Sequence, residues 1–204
     1  MARTPQDPQI RINEILDAAD HLFFTKGYQA TTISDIAKKM GTAQGMLYYY
    51  FKSKEEILET LLIRHVSSLM SEVQTIIRLD HSPAEKISLT VSSVLHKAGY
   101  KDGLLLNMLY DDQNLHLKVK LFRQVEASLA PWLLKIVEEG ISTQIFCIAH
   151  PPTAVDYMHV ILDFLSEALY QKTSEDILSF RLRMAESLIE KALGAKENMI
   201  HLTL

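Results

Sequence analysis

Residues 31–58 read TTISDIAKKMGTAQGMLYYYFKSKEEIL, a stretch that holds the start signals of three consecutive helices and a glycine stop between the first two. Thr32 and Asp35 have the Thr-x-x-Asp spacing of a variant capping box, which opens a short helix around Ile36, Ala37 and Met40. Gly41 ends that helix. Thr42 is placed to cap the next one, whose Ala43, Leu47, Tyr50 and Phe51 fall on one inward face. Ser53 and Glu56 form another capping box, so a third helix follows at once. A short helix, a glycine turn and a second short helix have helix-turn-helix proportions.

The other face of the second helix carries the functional signal. Gln44, Gly45, Tyr48 and Tyr49 point outward together. A purely structural surface would be built from Glu, Lys or Ala, whereas two tyrosines and a glycine weaken the helix and expose aromatic area. The same set suits a helix entering a DNA groove: Gln pairs with adenine edges, tyrosine hydroxyls bond phosphates, and glycine permits close approach. Lys54 sits in the first turn of its helix, where the dipole disfavours a cation and a phosphate would reverse the penalty. Thr32 and Thr42, at two other helix starts, offer a hydroxyl and an amide to the same backbone. A packed corner is the competing reading of the tyrosine run, and for Tyr50 it stands level with a DNA contact.

Outward from this stretch the chain is helical throughout. Apolar residues at 12, 15, 16, 19, 22 and 23 recur with helical spacing before a stop at Gly27. Downstream, Ile57, Leu58, Leu61, Leu62, His65, Val66, Leu69, Val73, Ile76 and Ile77 mark a helix from Lys54 to about Leu79. About 25 residues at 1.5 Å each span roughly 37 Å, long enough to connect an N-terminal head to a body. Ser82, Pro83 and Glu85 supply a cap, an N1 proline and an N3 acid, and their helix is expected to fade near Gly99 and Gly103. A short apolar piece over 104–110 follows. Then come a helix from Asn114 to about Glu139 kinked at Pro131, a loop over 140–152, and antiparallel helices over 153–171 and 174–193. The expected fold is all-α, about nine helices, with a helix-turn-helix domain over 1–54 and a second domain over 55–204.

Nearly half of the 204 residues are apolar, enough for a real core. The net charge of −4 would argue against nucleic acid, but residues 1–54 hold seven Lys/Arg and five acids, net +2, while the remainder holds 14 and 20, net −6. A mildly basic head thus sits on an acidic body. No apolar run approaches the roughly 20 residues of a membrane span, and the polar start lacks a signal peptide's apolar stretch, so a cytoplasmic location is expected. Cys147 is the only cysteine, with no Cys/His spacing around it. Asp111, Asp112 and His116 are spaced i, i+1, i+5 but lack a fourth ligand, so neither a metal nor a cofactor is expected.

The stretch resembles the signature region of the TetR family of regulators. The resemblance rests on Thr31-Thr32, Ile36-Ala37, Gly41, Leu47-Tyr48-Tyr49-Tyr50-Phe51 and Lys52-Ser53-Lys54-Glu55, and it covers about residues 10–60. Thr42-Ala43 and Met46 depart from the commoner family residues. The resemblance implies that Gln44, Gly45, Met46, Tyr48 and Tyr49 face DNA, and that Thr32, Thr42, Tyr50 and Lys54 hold its backbone. It also implies a homodimer paired through the last two helices, with Val155, Met158, Leu162, Leu178, Leu182, Ala185, Leu188 and Ile189 at the interface. An effector pocket is expected among the central helices, lined by Leu69, Leu105, Met108, Leu109, Phe122 and Leu165. Mobile methionines favour a small hydrophobic effector. The implied function is a non-enzymatic repressor released from double-stranded operator DNA by that effector. A DNA-binding adaptor without an effector and a helical hydrolase are the alternatives, the latter with no nucleophile–base pair to support it.

Overall fold

A computed structural model describes residues 7–110 and 114–204. Among them are eight α-helices and no strand, as an all-helical reading requires. They are α1 (Pro8–Lys26), α2 (Ile33–Lys39), α3 (Gln44–Tyr50), α4 (Lys54–Arg78), α5 (Pro83–Leu109), α6 (Leu115–Ser142), α7 (Pro151–Tyr170) and α8 (Glu175–Leu193). One compact unit runs to His65 and the other starts at Val66, a division that falls inside α4.

In the first unit the local signals act as the chemistry demands. The Asp7 carboxylate accepts from the Gln9 amide and Pro8 opens α1. Gly27 follows α1 at φ +87°, a conformation in which a side chain is strained. Thr32 and Asp35 complete the capping box of α2 from both sides. Ile15, Leu16 and Phe23 of α1, Ile36 of α2, Leu47 of α3 and Ile57, Leu58 and Leu61 of α4 are fully buried. Two ion pairs tie the elements: Lys26 to Asp35 and Arg64 to Asp17, each at 2.7 Å. His65 faces Asp20 at 3.9 Å.

The second unit departs from the expected boundaries at its glycines. α5 does not fade at Gly99; it continues to Leu109, with Gly103 at φ +76°. A glycine costs a helix about 1 kcal/mol, less than the burial of Leu104, Leu105, Leu106, Met108 and Leu109 returns. Asn114 precedes α6, but its side chain caps nothing and donates to the Met108 carbonyl at 2.9 Å. α6 passes through Pro131 and Gly140 and ends at Ser142, so the expected 140–152 loop shortens to 143–150. Glu139 lies on this continued helix and pairs with the buried Lys86 at 2.8 Å. α7 begins at Pro151 and α8 ends in a left-handed cap at Gly194, where an added Cβ would lie 2.2 Å from the Cys147 carbonyl oxygen. The core gathers Leu69 and Val73 of α4, Ile87, Val91 and Leu95 of α5, Leu129, Leu133 and Ile136 of α6, Met158 and Leu165 of α7, and Ile189 and Leu193 of α8. Ile200 and Leu202, beyond α8, join it.

Candidate nucleic-acid interface

Backbone geometry sets which residues α3 can present. Gly41, at φ +65°, turns the chain so that the Thr42 amide bonds back to the Ala37 carbonyl at 3.0 Å. Thr42 is therefore part of the turn and does not cap α3; Ala43 occupies that position, without a side-chain cap. Ala43 is also exposed, which corrects its inward assignment. α3 is held by Leu47, which is fully buried, and by Phe51 at its end. Burying such a side chain is worth about 1.5–3 kcal/mol. That anchoring leaves Gln44, Gly45, Tyr48 and Tyr49 exposed, Tyr48 by 52% and Tyr49 by 82%. The Gln44 amide reaches the Tyr48 hydroxyl at 3.5 Å. Met46 and Tyr50 are half-buried, and Tyr50 meets the Tyr49 ring edge-on with centroids 5.0 Å apart.

Two residues expected on the sugar-phosphate chain have internal partners. The Thr32 hydroxyl bonds Asp35 and its amide, and Lys26 reaches the same carboxylate. Those bonds, Lys26 first, hold the Asp35 carboxyl well below the usual carboxylate range. Lys54 is the larger departure. Its ammonium donates to the Tyr28 carbonyl at 2.8 Å and the Gln29 carbonyl at 3.3 Å, and lies 4.3 Å from the centroid of the Tyr28 ring. Burial lowers its pKa. A lysine at a helix start is explained here by two backbone carbonyls of the α1–α2 turn, with no phosphate needed.

The sequence assignments in the body divide in the same way. Leu69, Leu105, Met108, Leu109 and Leu165 are buried, and Phe122 is half-buried with the Lys118 ammonium 5.6 Å from its ring centroid. Beside Phe122, Tyr110 stacks on Tyr170 at 4.2 Å with the Lys118 ammonium 3.4 Å from the Tyr110 centroid. Burial and the nearby Glu167 and Asp163 push the Tyr110 hydroxyl up to about 12. Both ring nitrogens of His159 are buried without a hydrogen bond of ordinary geometry. Burial lowers its pKa against the pull of Glu126, Asp156 and Asp163.

The expected dimer residues need correction. Val155, Met158, Leu162, Ala185 and Ile189 are buried in the chain's own core; Leu178 and Leu182 are half-buried, and Leu188 alone of the eight is exposed. The exposed apolar set lies one step around each helix: Tyr157, Val160 and Phe164 on α7, Ile177, Phe180, Met184 and Leu188 on α8. Their spacings of three, four and seven are visible in the sequence. Both helices carry apolar residues on two faces, so periodicity alone does not say which face meets a partner. Among the described residues no three His, Cys, Asp or Glu side chains are placed to hold a metal ion, and no helix is long and apolar enough to cross a membrane. Asp111 and Asp112 lie outside the described residues.

With this geometry in view, residues 15–61 match the family model described as bacterial regulatory proteins, tetR family. Over this head the chain is similar to that family. A relative in Mycolicibacterium smegmatis, the HTH-type transcriptional repressor KstR2, is 39% identical over 85 residues, 42% of either chain. The TetR likeness in sequence thus spans about two-fifths of that relative's length. The fold likeness runs further. A TetR transcription regulator from Haloarcula marismortui superposes with a TM-score of 0.75 at 18% identity, covering 90% of this chain and 98% of that one. The regulator FadR from Bacillus subtilis, solved with stearoyl-CoA, gives 0.66 at 24% identity, covering 93% and 99%.

Proposed function

We propose that this protein is a homodimeric one-component transcriptional regulator of the TetR type, a repressor that leaves double-stranded operator DNA when a small hydrophobic effector binds the body. The observation that carries the reading is the exposed Gln44, Gly45, Tyr48 and Tyr49 face of α3, held out by the buried Leu47. Gln44, Met46 and Tyr48 read base edges, Gly45 lets the backbone approach, and Tyr49, Tyr50, Thr32 and Thr42 meet the sugar-phosphate chain. One seven-residue helix reads few bases, so two copies on half-sites about 34–36 Å apart supply the specificity. The exposed apolar residues of α7 and α8 support the pairing. In the body, Leu69, Leu105, Met108, Leu109, Phe122 and Leu165 line the effector's apolar part. His159, whose buried nitrogens make no hydrogen bond of ordinary geometry, offers it a polar contact. The stearoyl-CoA held by the FadR neighbour supports an apolar ligand. Such a ligand acts only through a higher affinity for the state that does not hold DNA.

The test is selection of duplexes from a random library by the purified protein, followed by binding isotherms at several salt concentrations. A two-fold symmetric site, bound saturably with a steep negative salt slope, is expected. Tyr48→Ala should lower affinity for that site about 5- to 150-fold, a loss of about 1–3 kcal/mol, with the far-ultraviolet spectrum unchanged. No enriched site, or a Tyr48→Ala variant that binds as well as the parent, rejects the reading.

A further inference from the structure

The chain does not stop packing at the end of α8. After the turn that carries Asn198 at φ +61°, segment 199–203 runs without secondary structure of its own, yet its five consecutive amides all have partners. Met199 and Ile200 donate to Glu190 Oε1 at 2.8 and 3.0 Å, and Leu202 donates to Glu186 Oε1 at 2.8 Å. His201 donates to Ser88 Oγ at 3.0 Å and Thr203 to Ser92 Oγ at 2.9 Å. Every acceptor is a side chain of α5 or α8. Ser88, Ser92 and Glu190 are themselves buried.

The match is one of periods. Amides at 201 and 203 meet α5 at Ser88 and Ser92, while those at 200 and 202 meet α8 at Glu190 and Glu186. Two residues of extended chain advance about 6.6–6.8 Å, and four residues of helix advance about 6 Å. Acceptors at i and i+4 therefore repeat in step with alternate amides of a strand. Ser88 completes its valence by donating to the Ala84 carbonyl at 2.9 Å, which leaves its lone pairs to the strand. Ile200 and Leu202 are buried beside the ladder, so the groove also selects apolar side chains two apart. α5 packs chiefly on α6 and α7, and α8 on α7, so the segment adds a bond between two helices whose main partners lie elsewhere.

We propose that α5 and α8 form a strand-binding groove, an acceptor ladder of Ser88, Ser92, Glu186 and Glu190, whose ligand is the chain's own 199–203 segment acting as a strap across the body. The ligand class is an extended peptide with apolar residues at alternate positions and free amides between them. The groove reads the backbone through carboxylate and hydroxyl oxygens, where a sheet edge would use carbonyls and amides.

Two substitutions at exposed Thr203 separate the ladder from mere burial. Thr203→Ala keeps the amide; Thr203→Pro removes it and still favours an extended residue before it. In the full chain, amides 199–203 should exchange with solvent at least about 100-fold more slowly than in the free peptide of residues 197–204. Thr203→Pro should speed exchange at 200–202 at least about tenfold and lower Tm, with Thr203→Ala close to the parent. A chain ending at Lys196 should bind the 197–204 peptide saturably, and the Thr203→Pro peptide at least about tenfold more weakly. Exchange at 199–203 as fast as in the free peptide overturns the proposal. So does equal behaviour of the Pro and Ala variants in the full chain, a measurement that stands even if the truncated chain fails to fold.

Discussion

If α3 binds an operator as proposed, Lys54 can serve it in two ways that leave different marks. A lysine that neutralises a phosphate releases a counterion, and its removal flattens the dependence of log affinity on log salt by about one contact's worth, near 0.9. A lysine spent on the Tyr28 and Gln29 carbonyls acts through the turn it holds, which leads into the Thr31 and Thr32 start of α2. Thr31 is fully buried there, its hydroxyl donating to the Gly27 carbonyl at 2.7 Å, so the turn is clamped from both ends. Lys54→Met keeps most of the side-chain volume and loses the donors. It should lower the thermal stability of the protein in the absence of DNA and weaken operator binding, while the salt slope stays that of the parent. A slope reduced by about one, with stability untouched, would return Lys54 to the phosphate. The charge and the helix position of this residue are plain in the sequence; its two carbonyl partners, 25 and 26 residues away, are not.

Among the elements, the capping signals were legible and the glycines were not. Thr32–Asp35 and Ser82–Glu85 read correctly from four letters each because both halves of a capping box are local. A glycine inside a helix has the same letter as a glycine that ends one, and the difference is made by whatever packs on it. At Gly140 that neighbour is Phe146, whose ring carbon would lie 2.0 Å from an added Cβ. The glycine is there so that the returning loop can lay an aromatic ring on the helix backbone. Alanine normally gains about 1 kcal/mol over glycine in a helix. Gly140→Ala should nevertheless destabilise by about 1–3 kcal/mol in chemical denaturation, since the ring of Phe146 is buried and would have to shift within a packed core. Gly140→Ala combined with Phe146→Leu should cost less than the sum of the two singles. A stabilised Gly140→Ala single variant would mean the ring does not hold that place.

For the whole molecule, periodicity showed that α7 and α8 are amphipathic but not which apolar face belongs inside. Both faces carry large side chains, and only the packing assigns Met158 and Ile189, each fully buried, to the core, leaving Val160 63%, Phe180 68% and Met184 62% exposed. Arg181 lies 4.9 Å from the Phe164 ring centroid and Arg183 4.7 Å from that of Phe180, which shields part of this surface with guanidinium groups. Aromatic residues, methionine and arginine are the types enriched where proteins meet. The two faces therefore respond oppositely to substitution. Leu162→Ala opens a cavity within one chain and should cost about 2–5 kcal/mol, and the proposed dimer should persist at micromolar concentration. Val160→Glu with Phe180→Glu removes nothing from the core, so helical content should persist. Two carboxylates placed in a desolvated contact should convert the species sedimenting at micromolar concentration to a single chain. Operator affinity should then collapse, because a lone α3 reads half a site. A parent that sediments as one chain, or a double variant that still sediments as two, would reject pairing through this face.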